Sequence, residues 1–169
     1  ADSVWNVLAY GAIPNDDLDD APAFQDAINA AYAAGGGIVY IPAGNFSVAS
    51  RHGGPWETYG EGGTMISMRS NISVVGAGRG ITRLRVADNM RTSTLSCAIL
   101  MNWDQFNVTS NWSICDITFD GNYEHNQFQA GWTSRFDSVG AINASDYRIE
   151  RCEFVNTMGY WCVITGVGS

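Results

Sequence analysis

The chain has 169 residues, of which 46% are hydrophobic and 15% charged, and its formal net charge is −8. This length and apolar content suit one folded domain with a sizeable core and exclude a disordered chain. The acidic charge argues against nucleic acid as a partner, since that role needs a basic surface, and no apolar run is long enough to span a membrane.

The first elements predicted are a strand over residues 3–9, an acidic loop over 15–20 and a helix from about 22 to 34. Asp20 or its neighbour is placed to cap the helix N-terminus, and the glycines at 35–37 end the helix. The acidic loop has two interpretations. Its four aspartates could bind calcium, the one ion this sequence suggests, or they could cap the helix and complement its dipole, which we favour.

Short strands separated by turns fill the rest of the chain. Three segments resemble one another, namely 71–76, 113–122 and 148–156, with Ile114 aligned over Ile149 and Phe119 over Phe154. Each ends in a turn with Gly or Asn, where positive φ is tolerated. Short repeated strands of this kind are typical of a solenoid, with the early helix closing one end of the stack.

The opening of the chain resembles the pectate-lyase-like right-handed parallel β-helix superfamily. The residues that carry the resemblance are the segments 9–12, 19–20, 24–31, 35–44 and 116–122. The resemblance implies an all-β solenoid, a right-handed parallel β-helix with an N-terminal capping α-helix. Members include pectate lyases, polysaccharide hydrolases, mannuronan C5-epimerases and phage tailspike depolymerases, so it implies a polysaccharide partner but no single reaction.

Among these members, the chain looks most like the mannuronan epimerases, through its helix end, its Asp-Gly-Asn turn and the pair Gly159-Tyr160. In those enzymes an Asp-Pro-His-Glu segment with the acid/base groups follows the tyrosine. Here residues 161–166 read Trp-Cys-Val-Ile-Thr-Gly, so the resemblance transfers only Tyr160 as a catalytic candidate.

Two carboxylates, Asp116 and Asp120, stand four positions apart on one predicted strand and are therefore expected on the same side of it. A pair of carboxylates is what glycoside hydrolysis requires, which makes both residues catalytic candidates. The competing interpretation, which we favour for Asp120, is stabilisation of the turn at Gly121-Asn122.

Four residues are candidates for substrate binding. Arg83 and Arg85 alternate with apolar residues and leave the core on one face, where they suit a carboxylated sugar or are simply solvated. His125 follows the Asp-Gly-Asn turn. Trp132 belongs to the aromatic residues of the predicted loops, which stack on sugars, cover the fold or contact another chain.

The cysteines, at 97, 115, 152 and 162, lack Cys-x-x-Cys spacing, so a zinc site is not expected and no residue is assigned to a metal. Buried thiols and one or two disulfides both stay open. Five N-x-S/T triplets are candidate glycosylation sites in a secreted, extracellular protein. Their acceptors are Asn45, Asn71, Asn107, Asn111 and Asn143.

We therefore expect one β-helix domain over 1–169. The N-terminal strand, the capping helix and the first rung occupy 1–48, and further rungs occupy 49–169. The expected function is a secreted module that binds or acts on an extracellular polysaccharide, as a lyase, a hydrolase or an epimerase-like enzyme. The alternative is an inactive structural protein that self-assembles by stacking β-helix ends. Because the last rung reads as uncovered, either further chain or another subunit is expected to stack on it.

Overall fold

The computed structural model describes residues 3–52, 63–90, 96–102, 108–126, 135–157, 159 and 162–165. The candidates Asn107, Trp132 and Tyr160 lie outside these residues, so their assignments stay predictions.

The described strands form three parallel sheets, and each turn of the chain contributes one strand to each sheet. Sheet A consists of β1 (Val4–Asn6), β2 (Gly37–Ile41), β5 (Ile72–Gly76), β8 (Thr109–Cys115) and β11 (Ala144–Glu150). Sheet B consists of β3 (Gly44–Val48), β6 (Thr82–Val86), β9 (Thr118–Asp120) and β12 (Glu153–Val155). Sheet C consists of β4 (Gly63–Met68), β7 (Ser96–Asn102), β10 (Arg135–Ile142) and β13 (Cys162–Thr165). Four coils, β2–β4, β5–β7, β8–β10 and β11–β13, therefore stack as a right-handed parallel β-helix, which confirms the predicted fold class.

The core consists of apolar side chains stacked in register from coil to coil. In sheet A, Val74 pairs with Ile114 and Ile114 with Ile149. In sheet B, Phe119 pairs with Phe154, and their rings stack with centroids 5.6 Å apart. Both alignments were predicted from the repeated segments. Stacked positions of this kind bury a continuous apolar column that no single coil could bury alone.

One helix, α1 (Ala21–Ala33), closes the end of the stack at the first coil. Phe24 on its buried face meets Phe46 of β3 edge-on, with ring centroids 5.5 Å apart. At its N-terminus the carboxylate of Asp19, the neighbour of Asp20, accepts a hydrogen bond from Ala21 N at 3.1 Å. The predicted lid is therefore confirmed, and Asp19 supplies the side-chain cap.

The N-terminal segment also covers the first strand of sheets B and C and supplies the edge strand of sheet A. Strand β1 pairs with β2, and Asp20 N donates to Ser47 O of β3 at 2.8 Å. For β4, the side chain of Gln25 on α1 bonds the backbone of Ser67. An uncovered sheet edge invites pairing with other chains, so these contacts close this end of the β-helix.

Residues in the left-handed conformation stand at one equivalent position in every coil, just before or within the first residues of its sheet A strand. Gly36, Asn71, Asn111 and Asp146 have φ of 118°, 64°, 55° and 49°. A Cβ on Gly36 would clash with Asn71 O, which explains the glycine. The side chains continue the stack, since Asn111 Nδ2 donates to Asn71 Oδ1 at 2.9 Å.

The structure corrects the predicted length of the first strand and answers the open question of the cysteines. The strand predicted over 3–9 ends at Asn6, whose side chain accepts from Leu8 N and starts a 3-10 turn, Val7–Tyr10. The four cysteines are free thiols, with Cys97 buried and Cys162 exposed. Within the described residues, no helix has the length and apolar character needed to cross a bilayer.

Candidate functional site

A polar groove of ≈ 790 Å³ runs along the outer face of sheet B. Two columns of outward side chains form its floor, because these positions alternate with the core ladder along β3, β6 and β9. The residues that line the groove are Asp17, Asn45, Ser47, Gly80, Arg83, Arg85, Ala87, Asp88 and Asp120. The structure thus brings together Arg83, Arg85 and Asp120 from the sequence-based candidates.

Asp120 is the buried centre of this floor, with 4% of its surface exposed. Its Oδ2 accepts from Arg83 Nη1 at 2.7 Å. Its Oδ1 accepts from Asn122 N at 2.9 Å and from Asn156 Nδ2 at 3.0 Å. Both oxygens are therefore occupied, and the contact with Asn122 N is the turn-stabilising bond expected from the sequence.

Arg85, two residues after Arg83 on β6, belongs to a second cluster at the rim of the groove. Its Nη2 donates to Asp88 Oδ1 at 2.7 Å and to Asn122 Oδ1 at 3.0 Å, and it lies 3.4 Å from His125 Nδ1. The Asn122 amide, followed by Arg85, holds the pKa of Asp88 below its usual range. Asp88 is therefore a carboxylate at neutral pH, and His125, the fourth candidate for binding, stands beside Arg85.

Asn122 and Asn126 tie the segment after β6 to the 3-10 turn Tyr123–His125. Asn122 Nδ2 donates to Val86 O at 2.9 Å, and Asn126 Nδ2 donates to Ala87 O at 2.9 Å. Neither asparagine was among the site residues predicted from the sequence. The signal that could have found Asn122 is its place in the Asp-Gly-Asn turn, since its φ is 54° and Asn is among the few residues that accept that conformation.

The expected pairing of Asp116 with Asp120 on one strand is wrong. Strand β8 ends at Cys115 and β9 begins at Thr118, so Asp116 occupies the turn between two sheets with φ 62°. It accepts two hydrogen bonds from Arg151, both at 2.7 Å, which hold its pKa below the usual range. Asp116 does not line the groove, and its catalytic role stays a prediction.

The aspartates of the acidic loop before α1 accept hydrogen bonds from backbone N–H groups. Asp19 accepts from Ala49 N and Ser50 N as well as from Ala21 N, and Asp20 Oδ1 accepts from Ile13 N at 2.8 Å. Within the described part of the chain, no group of three or more His, Cys, Asp or Glu side chains could hold a metal ion.

Of the candidate glycosylation sites, Asn45, Asn71 and Asn111 are exposed and Asn143 is half-buried. Asn45 lines the groove, where it donates to Asn15 Oδ1 at 3.3 Å. A glycan on Asn45 would therefore occupy the groove.

The fold and groove together define a class of protein, the parallel β-helices with a polar cleft along the outer face of one sheet. Residues 4–159 match the family model described as rhamnogalacturonase A/epimerase, pectate lyase-like, and the chain belongs to that family. This confirms the resemblance seen in the sequence.

The relatives include several polysaccharide-modifying enzymes of Azotobacter vinelandii. The chain is 33% identical over 157 residues to mannuronan C5-epimerase AlgE2 and 31% identical over 159 residues to alginate lyase 7. Each match covers 92% of this chain, but only 15% of AlgE2 and 17% of alginate lyase 7. The solved A-module of epimerase AlgE4 matches with a TM-score of 0.75 and 27% identity, over 97% of this chain and 42% of that one. The chain thus spans less than half of each of these relatives.

Proposed function

We propose that this chain is the N-terminal β-helix part of a secreted polysaccharide-modifying enzyme of the epimerase or lyase type, and that the groove on sheet B binds a uronate-containing polysaccharide. The carrying observation is the groove itself, whose charged side chains project from neighbouring coils of the stack. The relatives support the substrate class, since their names refer to mannuronan and alginate. A polymer outside the cell also requires an extracellular enzyme.

The groove recognises a sugar through directed hydrogen bonds and not through net charge. Two arginines face three aspartates, so the groove is not basic. Within the described residues, Arg83 contacts Asp120 through Nη1 alone, and Arg85 makes its contacts through Nη2 alone. The remaining guanidinium N–H groups of both arginines are thus available to a ligand, and a planar fork of donors suits a carboxylate.

The groups with acid/base capacity are distributed unevenly around the groove. Asp120 is engaged by three donors and Asp88 by Arg85 and Asn122, which suits both to orienting roles. His125 brings an imidazole ring to the rim, and its two nitrogens can donate or accept a hydrogen bond. In this proposal Asp120 organises the floor, His125 contacts the sugar, and Tyr160 and Trp132 stay candidates for the reaction and for stacking.

Binding of oligosaccharides to the purified chain tests the proposal. We expect an oligomannuronate to bind measurably by calorimetry and a neutral oligosaccharide of equal length to bind at least tenfold more weakly. Arg85→Gln should weaken oligomannuronate binding about tenfold. Arg148→Gln, an exposed arginine on sheet A, should leave it unchanged. Equal binding of both sugars, or equal effects of both substitutions, would exclude the groove as a uronate site.

The alternative, a self-assembling protein, would make its contact at the fourth coil, which further chain of the same protein would cover equally. Inward-facing residues of the fourth coil, Ile149, Cys152 and Phe154, are only partly buried, whereas Ile114, Ile117 and Phe119 of the third coil are fully buried. A second copy stacked on this coil would bury them. A monomer by sedimentation analysis at high concentration would exclude this alternative, and a concentration-dependent oligomer would support it.

A further inference from the structure

The side-chain orientation of Asn122 is fixed by its neighbours. Its Nδ2 donates to Val86 O at 2.9 Å and to Asp88 Oδ1 at 2.8 Å, and its Oδ1 accepts from Arg85 Nη2 at 3.0 Å. The reversed amide would place an oxygen against two acceptor oxygens and an NH₂ against a guanidinium. Because Asn122 is 5% exposed, water cannot relieve those contacts.

This orientation determines which nitrogen of His125 bears hydrogen. His125 Nδ1 lies 2.9 Å from Asn122 Oδ1, which can only accept, so Nδ1 must donate. The approach of Arg85 Nη2 to the same nitrogen is longer, at 3.4 Å, and cannot be a hydrogen bond to a protonated Nδ1. In the neutral ring, Nε2 therefore carries the lone pair.

The opposite side of the ring is open to ligand. His125 is exposed, and its ring contacts within the described residues all involve Nδ1. Arg85 lines the groove and reaches the Nδ1 edge of the ring through Nη2, while its Nε and Nη1 make no hydrogen bond within the described residues. The rim cluster thus contains both a hydrogen-bond acceptor, Nε2, and guanidinium donors that a ligand can use.

We propose that Asn122 is a positioning residue that holds neutral His125 as the Nδ1–H tautomer, so that Nε2 accepts a hydrogen bond from a hydroxyl of the sugar whose carboxylate binds Arg85. This inference rests on the proposed function for the identity of the ligand, but not for the tautomer. It makes His125 a determinant of specificity, because a sugar without a hydroxyl at that position would leave Nε2 unpaired.

Nitrogen-15 NMR of the two ring nitrogens, at a pH where the imidazole is neutral, tests the tautomer directly. The chain has two histidines, and His52→Gln leaves the His125 signals alone for assignment. We expect the Nδ1–H pattern in the wild-type chain. We expect the Nδ1–H pattern to disappear in Asn122→Gly, a substitution chosen because glycine tolerates the positive φ at this position. Asn126→Ala is the matched control, because Asn126 holds the same segment without touching the His125 ring.

The outcomes separate the tautomer from the ligand. An Nε2–H pattern in the wild-type chain overturns the proposal, and that spectrum decides even if Asn122→Gly fails to fold. Loss of the pattern in Asn126→Ala as well would show that Asn122 has no specific role. On addition of oligomannuronate, a shift at Nε2 larger than at Nδ1 supports the contact with sugar. Binding without a shift at Nε2 overturns that contact, whereas absence of binding contradicts the proposed function and leaves the tautomer standing.

Discussion

The side-chain amide of Gln25 hydrogen-bonds the backbone of Ser67 as a neighbouring strand would. Ser67 N donates to Gln25 Oε1 at 2.8 Å, and Gln25 Nε2 donates to Ser67 O at 3.3 Å. Ser67 lies on β4, the edge strand of sheet C, and both residues are buried. One side chain of the helix therefore satisfies both backbone groups of an edge residue where no further strand follows.

Gln25→Ala should lower the free energy of unfolding by about 2 kcal/mol, because it leaves a buried N–H and a buried C=O unpaired. Denaturant unfolding followed by circular dichroism measures the change. Asn29→Ala is the control, since Asn29 is exposed and bonds Gln25 without touching β4. If both variants lost the same free energy of unfolding, the contact between Gln25 and the edge strand would not be the source of the stabilisation.

Asp20 should make stability depend on pH. Burial, together with the nearby charges of Asp16 and Asp19, raises its pKa to about 6. Its Oδ2 is buried and has no hydrogen-bond partner among the described residues. Because the folded pKa exceeds the unfolded value, folding favours the protonated acid. Stability from this group therefore rises as the pH falls from about 7 to 4.

Asp20→Asn should accordingly stabilise the chain at pH 7 by about 1–2 kcal/mol and flatten this part of the pH profile. Unfolding curves at intervals between pH 4 and 8 provide the measurement, with the exposed Asp26→Asn as control. If Asp20→Asn left the pH dependence of the free energy of unfolding unchanged, the raised pKa of Asp20 would be contradicted.

Asp120 and Asp116 should respond differently to the same substitution. Asp120→Asn removes the charge that pairs with Arg83 at a buried site, so we expect a loss of about 1–3 kcal/mol in the free energy of unfolding. Asp116→Asn breaks an exposed ion pair with Arg151, which solvent already screens, so we expect little change. Thermal melts at matched pH distinguish the two, and a larger effect at Asp116 would contradict the described geometry.

The stacked phenylalanines of sheet B test the register of the coils. Phe119→Ala should cost about 3–5 kcal/mol, because Phe119 is fully buried between Leu84 and Phe154. Phe154→Ala should cost clearly less, since Phe154 is only partly buried. Equal losses in denaturant titrations would show that the fourth coil is covered in solution.

Much of the fold follows from local pattern. The apolar face of the helix, the glycines after it and the alignment of Phe119 over Phe154 can all be read from spacing, because coils stack identical positions. The end of β1 could not be predicted from spacing, because the side chain of Asn6 accepts a hydrogen bond from Leu8 N and starts a tight turn. A competing local hydrogen bond of this kind leaves apolar alternation unchanged.

The site was harder to predict because its contacts join different coils. Alternation along β6 placed Arg83 and Arg85 on one face, as the structure confirms. The error at Asp116 arose from placing Asp116 and Asp120 on one strand, whereas Asp116 adopts φ 62° and turns the chain. The roles of Asn122 and Asp88 depend on contacts across more than thirty residues, which periodicity does not encode.

The stacked left-handed corner at Gly36, Asn71, Asn111 and Asp146 restricts where such a protein can diversify. Gly36 packs closely against Asn71 and Asn71 bonds Asn111, so a residue inserted there would shift every coil beyond it. The connections from sheet B to sheet C differ in length from coil to coil. Evolution can therefore lengthen or replace those connections, which begin beside the groove, to change ligand preference while the stack beneath stays constant.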